Sequence, residues 1–309
     1  MRKLTIGMCY FDDFDGVYFT VQALRLFHKE ILNEIEWVFV DNNYGSPQSE
    51  LAKQFITNHV KEPYKLIPFT RFTGTSLRNI IFEVSDTPYT LSTDCHVLFE
   101  PGSLKKLIQY YDEGHDDGNL LQGPLIYDSI SENSVSTHFK REWGVLDGTD
   151  KSAGMLGKWG YDSRYVNSDS PPFEIECQGL GVFSCRTLNW LKFNSAFQGF
   201  GGEEFYIHDK YRINGKKVIC LPFLGWVHRF FRERTPYPNF WEHRYRNYLI
   251  GRIELGQDVD DVEEAFKGAL SEETKELIRK EVVELFNSKF EIKSCNCKGK
   301  GTITAPPSN

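Results

Sequence analysis

Long hydrophobic runs are missing from the sequence. No stretch of roughly 18 consecutive apolar residues occurs among the 309 residues, which predicts that no helix of the chain crosses a membrane. The first residues carry two basic side chains, but Asp12 and Asp13 follow after only a short apolar stretch. We therefore interpret that stretch as a first β-strand and not as a signal peptide.

An excess of positive charge is also missing. The 36 Lys and Arg are outnumbered by 43 Asp and Glu, so the net charge at pH 7 is −7. This charge argues against a protein that holds nucleic acid non-specifically through its overall electrostatic field, although a local basic groove is compatible with it.

The cysteines do not form a disulfide framework, because there are seven of them, an odd number, dispersed along the chain. We therefore expect a reducing, cytoplasmic setting. Hydrophobic residues make up 40% of the chain, which is enough for a sizeable core and excludes general disorder. Aromatic residues are abundant at 15%, and such a surplus often supplies flat walls for a ligand, although most aromatic side chains in proteins serve core packing.

The first hundred residues alternate between strand-like and helix-like segments. Short apolar runs bounded by turn residues predict strands at 4–9, 35–40, 64–69 and 89–92. Apolar residues at helical spacing predict helices at 17–31, 48–60 and 75–85. This alternation implies βαβ units and a mostly parallel sheet, in which a ligand lies beyond the carboxyl ends of the strands. Asp41 and Asp94 both follow strands at that edge.

The rest of the chain is less regular. Residues 147–172 are rich in Gly, Ser and Asp, and we interpret them as loops near a site. Further strand-like pieces occur at 120–127, 136–145, 174–185 and 218–221. A helix is expected from near Gly202, an amphipathic helix over 258–290, and a disordered tail over 294–309. We predict an α/β domain over 1–232 and a helical extension over 233–293.

Asp94-Cys95-His96 is the sharpest local feature of the sequence. Residues i and i+2 of an extended segment point the same way, so Asp94 and His96 can converge on one ion. A carboxylate and an imidazole with open positions suit a divalent cation such as manganese. A solvated turn in which His96 simply packs is the simpler interpretation of so short a motif.

Two further segments bear on that choice, GFGGEE at 199–204 and LPFLGWVHRF at 221–230. Glycines allow the backbone close to a ligand, and the two acids Glu203 and Glu204 open a helix whose dipole favours their ionised form. His228 ends a strand-like segment and could complete a ligand set with Asp94 and His96. A glycine turn with capping acids and a core histidine is the alternative.

The order of several motifs along the chain resembles that in the GT-A glycosyltransferases. The resemblance lies in VDNN at 40–43, Arg78-Asn79 in a helix, the D-x-H after a strand, GFGGEE and the downstream histidine. Enzymes similar to family 2 are nearest overall, and the D-x-H with Gly-Gly-Glu also looks like the polypeptide N-acetylgalactosaminyltransferases. The resemblance covers about residues 3–232 and implies a Rossmann-like α/β/α sandwich of the GT-A type.

The resemblance also implies a role for each matching residue. Asp41 would recognise the nucleotide base, typically uracil, and Arg78 would lie near the nucleotide. Asp94, His96 and His228 would hold Mn²⁺ or Mg²⁺. Glu204 would be the general base of an inverting enzyme, and Glu203 would contact the sugar or the acceptor. Further donor-binding residues would be Cys9, Tyr10 and Phe11 with Asp12 or Asp13, together with Asp94, Gly201, Gly202 and Arg232.

The sequence departs from the family pattern in two places. The usual D-x-D is D-x-H here, and the common Gly-Gly-Glu-Asp is Gly-Gly-Glu-Glu. The polypeptide N-acetylgalactosaminyltransferases retain the anomeric configuration, whereas the family 2 enzymes invert it. We favour inversion and leave retention as the alternative.

A basic and aromatic segment runs from Arg229 to Arg252. It holds six arginines and seven aromatic residues against two acids. It could be a groove for the diphosphate or an anionic acceptor, with Trp241 stacking on a sugar or base. It could equally be a helix that packs its aromatic face on the core. Gly179-Leu180-Gly181 is expected either to approach the donor sugar or only to pack, and Cys295-Asn296-Cys297 is a weak metal motif.

Together these observations predict a metal-dependent glycosyltransferase. It would move a hexose or N-acetylhexosamine from a nucleotide sugar, a UDP-sugar by preference, to an acceptor hydroxyl on a glycan, a protein side chain or, least expected, a hydroxylated base in DNA. The alternative is a non-catalytic carbohydrate- or nucleotide-binding protein of the same fold. A sugar-1-phosphate nucleotidyltransferase would need a glycine-rich basic loop after the first strand, where this chain reads YFDDFD. A metal-dependent hydrolase would leave Asp41 and the Gly-Gly-Glu-Glu segment unexplained.

Overall fold

The computed structural model describes residues 1–129, 134–144, 154–230 and 237–295, with side chains up to residue 287. Its strands are β1 (Leu4–Tyr10), β2 (Ile35–Asp41), β3 (Tyr64–Pro68), β4 (Tyr89–Thr93), β5 (Val97–Phe99), β6 (Leu120–Gln122), β7 (Leu125–Tyr127), β8 (Val135–Ser136), β9 (His138–Trp143), β10 (Leu156–Gly160), β11 (Phe173–Glu174), β12 (Val182–Arg186), β13 (Val218–Cys220) and β14 (Trp226–His228). Its α-helices are α1 (Phe14–Phe27), α2 (Pro47–His59), α3 (Arg78–Val84), α4 (Ser103–Asp112), α5 (Glu203–Ile213), α6 (Trp241–Glu254), α7 (Asp260–Ala265) and α8 (Glu272–Cys295).

The largest sheet has the strand order β11-β13-β6-β12-β4-β1-β2-β3. Its pairs β2–β3, β1–β2, β1–β4 and β6–β13 are parallel, whereas β12 runs antiparallel to both of its neighbours. Strands β1, β2 and β4 are buried along almost their whole length because helices cover both faces of the sheet. The predicted α/β/α sandwich with a mostly parallel sheet is confirmed.

Local sequence signals set the helix starts beside this sheet. The Asp13 side chain accepts a hydrogen bond from the Gly16 backbone N–H and caps α1. Ser46 caps α2 in the same way, and Pro47 occupies the first turn, where its missing N–H costs nothing. Both helices therefore start within a few residues of the carboxyl ends of β1 and β2.

Two hydrophobic clusters lie on opposite faces of the sheet. One contains buried side chains of α1, α2 and α4, for example Val17, Ile56 and Leu107. The other contains side chains of α3, α5, α6 and α8, for example Ile81 and Ile278. The C-terminal helices therefore share a core with the sheet.

Several sequence predictions differ from the structure. Residues 120–127 form two strands, because the chain passes from the main sheet (β6) to a second sheet (β5-β14-β7-β8) at Gly123-Pro124. The interpretation of 147–172 as loops is wrong at β10, which pairs antiparallel with β9. Helix α4 was not predicted, and the amphipathic stretch 258–290 is two helices, α7 and α8.

The predicted boundary at 232/233 and the tail beyond residue 295 lie outside the described residues, and the domain division stays a prediction. The backbone of α8 runs to Cys295, so the described chain is still helical at the first two tail residues. In the part of the chain that the structure describes, no helix has the length and apolar character needed to cross a bilayer.

Candidate active site

A cavity of about 370 Å³ opens at the carboxyl ends of β1 and β4, which is where a parallel sheet places its ligands. Residues from both faces of the sheet, from the second sheet and from the β9–β10 hairpin contribute to it. Its wall includes Cys9, Tyr10, Phe11, Asp13, Asn42, Thr73, Gly74, Thr75, Arg78, Asp94, His96, Phe139, Trp159, Gly179, Leu180, Gly181, Phe200, Glu203, Glu204, His228 and Phe230.

Asp94, His96 and His228 converge inside this cavity. The Nε2 atoms of the two histidines are 3.2 Å apart, and they lie 3.9 and 3.6 Å from Oδ2 of Asp94. One potential ligand atom of each residue lies within 4.8 Å of the other two. Strand pairing explains the convergence, because β14 runs antiparallel to β5 and places His228 opposite Val97, next to His96.

The chemistry of this donor set fits a divalent cation. One carboxylate oxygen and two imidazole nitrogens, with room left for further ligands, suit a borderline ion such as Mn²⁺. Two neutral imidazoles that face each other through Nε2 can share only one proton, whereas both can donate a lone pair to a common ion.

Two charged side chains hold two of these residues, His96 and Asp94, in place. Asp13 Oδ2 lies 2.9 Å from Nδ1 of His96, and Arg78 donates to Oδ1 of Asp94 over 2.8 Å. The first contact directs Nε2 of His96 toward the cavity, which is how carboxylates commonly orient metal-binding histidines. Burial alone would raise the pKa of Asp13, but the hydrogen bond and charge of His96 outweigh it and lower that pKa to about 2. Burial is outweighed in the same way at Asp94, where His228 and Arg78 hold the pKa well below its usual range.

Glu203 and Glu204 form a second acidic corner in the first turn of α5. Their side chains are buried, with exposed fractions of 1% and 8% for the residues. Burial raises the pKa of both carboxyls, and the adjacent charge of Glu203 helps raise the pKa of Glu204 to about 8. A carboxyl whose pKa lies near neutral pH is suited to take up a proton from a substrate hydroxyl.

Residues at the end of the first strand lie at the cavity, and their binding of the donor stays a prediction. Cys9, Tyr10 and Phe11 all line the cavity, and Arg78 lines it as well. Asp13 lines it too, and its carboxylate contacts His96 and caps α1. Asp12 accepts hydrogen bonds from Asn43 and Ser46. The donor contact expected of Asp12 or Asp13 stays a prediction.

Asp41 lies at the end of β2, yet it is not among the residues that line the cavity. Its carboxylate is buried and accepts hydrogen bonds from the Tyr10 and Ser49 hydroxyls and from the Asn43 backbone. The next residue, Asn42, does line the cavity and ties the loop above it through Phe69 and Phe72 backbone carbonyls. A base-binding role for Asp41 stays a prediction, and it would require these hydrogen bonds to be exchanged.

Gly201 and Gly202 are placed against helix α6 and not against the cavity. Both have positive φ, and a Cβ atom on Gly201 would lie 2.6 Å from the Arg244 side chain. On Gly202 it would meet Asn247 and Tyr248 at 3.1 Å. These glycines therefore let α6 approach the start of α5. Their contact with the donor stays a prediction. Arg232 lies outside the described residues.

The described part of the basic and aromatic segment is mainly helix α6. Tyr245, Tyr248 and Leu249 pack in the core, which is the packing alternative considered for this segment. Trp241 contacts Phe266 and the Arg244 guanidinium and is not part of the cavity wall. Residues 179–181 do line the cavity, and a Cβ on Gly181 would lie 3.2 Å from Oδ2 of Asp94. Thr73, Gly74 and Thr75 also line the cavity and were not predicted from the sequence; a backbone bridge joins Gly74 to Gly199.

Comparisons with known proteins bear on the family and the fold of this chain. The family model described as glycosyl transferase family 2 matches residues 5–183. Among solved structures, the fold is similar to that of GalNAc-T7, crystallised with UDP, GalNAc and Mn²⁺, with a TM-score of 0.62 and 13% identity over 87% of this chain and 54% of that chain. It is also similar to residues 1–349 of TarS from S. aureus, with a TM-score of 0.50 and 12% identity over 82% of this chain and 72% of that chain. No curated protein sequence matches the chain significantly.

The sheet topology and the similarity to these two solved structures define a protein with the GT-A fold. At such low identity the two solved structures show the fold alone, and the chain spans about half the length of the GalNAc-T7 chain. The family match covers more than half of the sequence, and the chain therefore belongs to glycosyl transferase family 2. The predicted resemblance is confirmed.

Proposed function

We propose that the protein is a divalent-metal-dependent transferase that moves a hexose or N-acetylhexosamine from a nucleotide sugar, by preference a UDP-sugar, to an acceptor hydroxyl. The observation that carries this proposal is the convergence of Asp94, His96 and His228 in the cavity. The similar fold of GalNAc-T7, which was crystallised with UDP, GalNAc and Mn²⁺, supports the same combination of donor and metal.

Asp94, His96 and His228 would hold the metal ion. When bound, Mn²⁺ or Mg²⁺ supplies positive charge that stabilises a departing nucleoside diphosphate. Cys9, Tyr10, Phe11 and Asn42 lie at the ends of β1 and β2, on the side of the cavity where we place the nucleotide. The guanidinium of Arg78 orients Asp94 and adds a fixed positive charge beside the same position.

Glu204 would act as the general base of an inverting reaction. Its raised pKa means that the carboxylate, once formed, accepts a proton readily, and a base of this kind typically needs to come within about 3 Å of the acceptor hydroxyl. Glu203, next to it on α5, would contact the sugar or the acceptor. A cytoplasmic location remains a prediction from the cysteine content.

The test is binding of UDP and of a donor panel with and without Mn²⁺, together with slow hydrolysis of each donor. Wild type should bind UDP only with Mn²⁺ and should release UDP from one donor. His96→Ala should lose both properties, whereas His115→Ala, an exposed histidine at a helix end, should keep them. Failure of wild type to bind any nucleotide with metal would contradict the proposal and leave a non-catalytic binding protein as the better description.

A further inference from the structure

Four aromatic side chains, Tyr127, Phe139, Trp159 and Phe230, form one wall of the site, here called the aromatic wall. Three of them line the cavity directly, and Tyr127 stacks on Phe230 with ring centroids 5.4 Å apart. The proposed roles of metal, nucleotide and base leave this wall without a ligand.

The wall begins at the metal-binding residues. The ring centroid of Phe230 is 4.2 Å from that of His228, and Trp159 lies farther along, 6.2 Å from Phe230. Phe230 follows β14, and Trp159 belongs to the β9–β10 hairpin. Both elements lie outside the main sheet, whereas the nucleotide side is built from the ends of β1 and β2. The wall therefore adjoins the Asp94, His96 and His228 cluster and is built from other elements than the nucleotide side.

The rings of the wall are held in fixed positions. Trp159 and Phe139 are direct cross-strand partners, and their rings meet edge to face at 4.6 Å. The Phe230 backbone N–H donates to Oδ2 of Asp128 over 3.0 Å, and the preceding Arg229 N–H donates to the His96 carbonyl. A binding surface that is already ordered loses little conformational entropy when a ligand arrives.

Two of these rings are nevertheless exposed, Trp159 at 43% and Phe230 at 38%. Large apolar side chains that stay open to solvent beside a cavity typically mark a surface that a ligand covers. An indole offers a broad flat face, and the C–H groups on one side of a pyranose ring present a matching apolar face while the hydroxyls point outward. The net charge of −7 and the Asp128 carboxylate beside the wall do not favour a polyanion there.

We infer that the aromatic wall is the acceptor subsite and that the acceptor is a saccharide whose pyranose ring stacks on Trp159. This inference rests on the proposed glycosyl transfer and names the acceptor class for the same cavity. The acceptor hydroxyl would enter beside the metal-binding residues, along the aromatic wall.

The experiment is a printed oligosaccharide array probed with the 309-residue chain in the presence of UDP and Mn²⁺. Calorimetry with the best saccharide and with a DNA duplex of about 20 base pairs follows. We expect wild type to bind a saccharide and Trp159→Ala to bind it about tenfold more weakly, with Trp159→Phe in between. Phe230→Leu, which leaves the hairpin untouched, should weaken binding about threefold. Tyr161→Ala removes an exposed ring that lies outside the cavity wall and should change nothing.

UDP binding with Mn²⁺ is measured on every variant, because it separates the two hypotheses and also reports folding. Two results would overturn the aromatic wall as acceptor subsite while UDP binding is retained. One is that wild type binds no saccharide, and the other is that Trp159→Ala and Phe230→Leu bind the saccharide as tightly as wild type does. Binding of the duplex that depends on Trp159 would also overturn it, in favour of a nucleic-acid acceptor. If wild type does not bind UDP in the presence of Mn²⁺, that result would instead contradict the proposed function itself.

Discussion

The two acidic corners of the cavity are both largely buried, yet their carboxyl groups are shifted in opposite directions. Asp13 and Asp94 have lowered pKa values, because His96, His228 and Arg78 lie against them. The pKa values of the other pair, the adjacent glutamates at the start of α5, are raised, because burial is not matched by equally close positive groups. Burial alone therefore does not decide the charge of a carboxyl group, and the fixed neighbours do.

This difference separates two chemical roles within one site. The corner around Asp94 keeps its negative charge at neutral pH and is suited to a cation. The corner around Glu204 sits near its protonation midpoint and is suited to proton transfer. Pairs of acids whose surroundings push their pKa values apart are a common basis for dividing binding from acid–base work.

The largest expected effect comes from removing the negative charge of the first corner, the one formed by Asp13 and Asp94. Asp94→Asn keeps the size of the side chain but removes the carboxylate that faces both histidines. We expect Mn²⁺ affinity to fall by about 100-fold or more and turnover with it, because the ligand set loses its only anion among the three residues. Titration followed by Mn²⁺ electron paramagnetic resonance measures the affinity.

The matched control is Asp169→Asn, because Asp169 is an exposed acid that forms a surface ion pair with Lys106. It should bind Mn²⁺ like wild type. Unchanged Mn²⁺ affinity in Asp94→Asn would show that the converging residues are not a metal site.

The second corner is tested by Glu204→Gln. Turnover should fall by about 10²- to 10⁴-fold because a general base is removed, while UDP and Mn²⁺ binding stay the same. The same substitution should make the folded protein more stable than wild type at pH 8, although turnover falls. The folded carboxyl has a pKa of about 8 and the unfolded one an ordinary value, so the folded protein binds the extra proton and wild type loses stability as pH rises between those values.

Melting temperatures at pH 4.5 and pH 8 measure this effect. The variant should melt close to wild type at the lower pH and a few degrees higher than wild type at pH 8. A variant that is less stable than wild type at pH 8 would contradict the uncompensated burial of Glu204.

How much of this could be predicted from the sequence depends on whether the signal is local. The β1–β4 strands and the helices between them follow from apolar spacing, and the D-x-H motif follows from residues two positions apart. Helix α4 also has a local signal, since Leu104, Leu107, Ile108 and Tyr111 recur at helical spacing, and it could have been found.

Other features of the site depend on contacts between distant parts of the chain. The bond between Asp13 and His96 joins residues 83 positions apart, and only the end of β1 beside the end of β4 brings them together. Trp159 lies in a glycine-rich stretch, where Gly157 and Gly160 obscure the alternation that would mark β10. Asp41 has the right position for a ligand contact, and only its hydrogen bonds to Tyr10 and Ser49 reveal that it is already engaged.

A smaller effect is expected from Asp13→Asn, which tests how the first corner is organised. Asn can still cap α1, because its side-chain oxygen accepts from Gly16 as Asp does, but it no longer supplies a carboxylate to His96. Mn²⁺ affinity should fall by about 10- to 100-fold, as is usual when the partner of a metal-binding histidine is lost. Asp15→Asn, which changes an exposed acid in the first turn of the same helix, is the control and should leave the Mn²⁺ affinity unchanged.

The smallest effect is expected from a substitution that lowers the pKa of Glu204 and so makes the second corner more like the corner around Asp94. The charged and titratable groups that act on Glu204 are Glu203, Arg78, Arg244, Tyr248 and Cys177. Of these, Glu203 raises its pKa most after burial, so Glu203→Gln should lower the pH of half-maximal turnover by about one unit. The measurement is turnover against pH for wild type and variant at saturating donor and metal. The midpoint carries the prediction and the maximal rate does not, because Glu203 also lines the cavity. A midpoint that stays in place or moves to higher pH would mean that burial alone raises the pKa of Glu204. The opposite pKa shifts of the two corners would then be due to the positive groups around Asp94 and not to repulsion between the two glutamates.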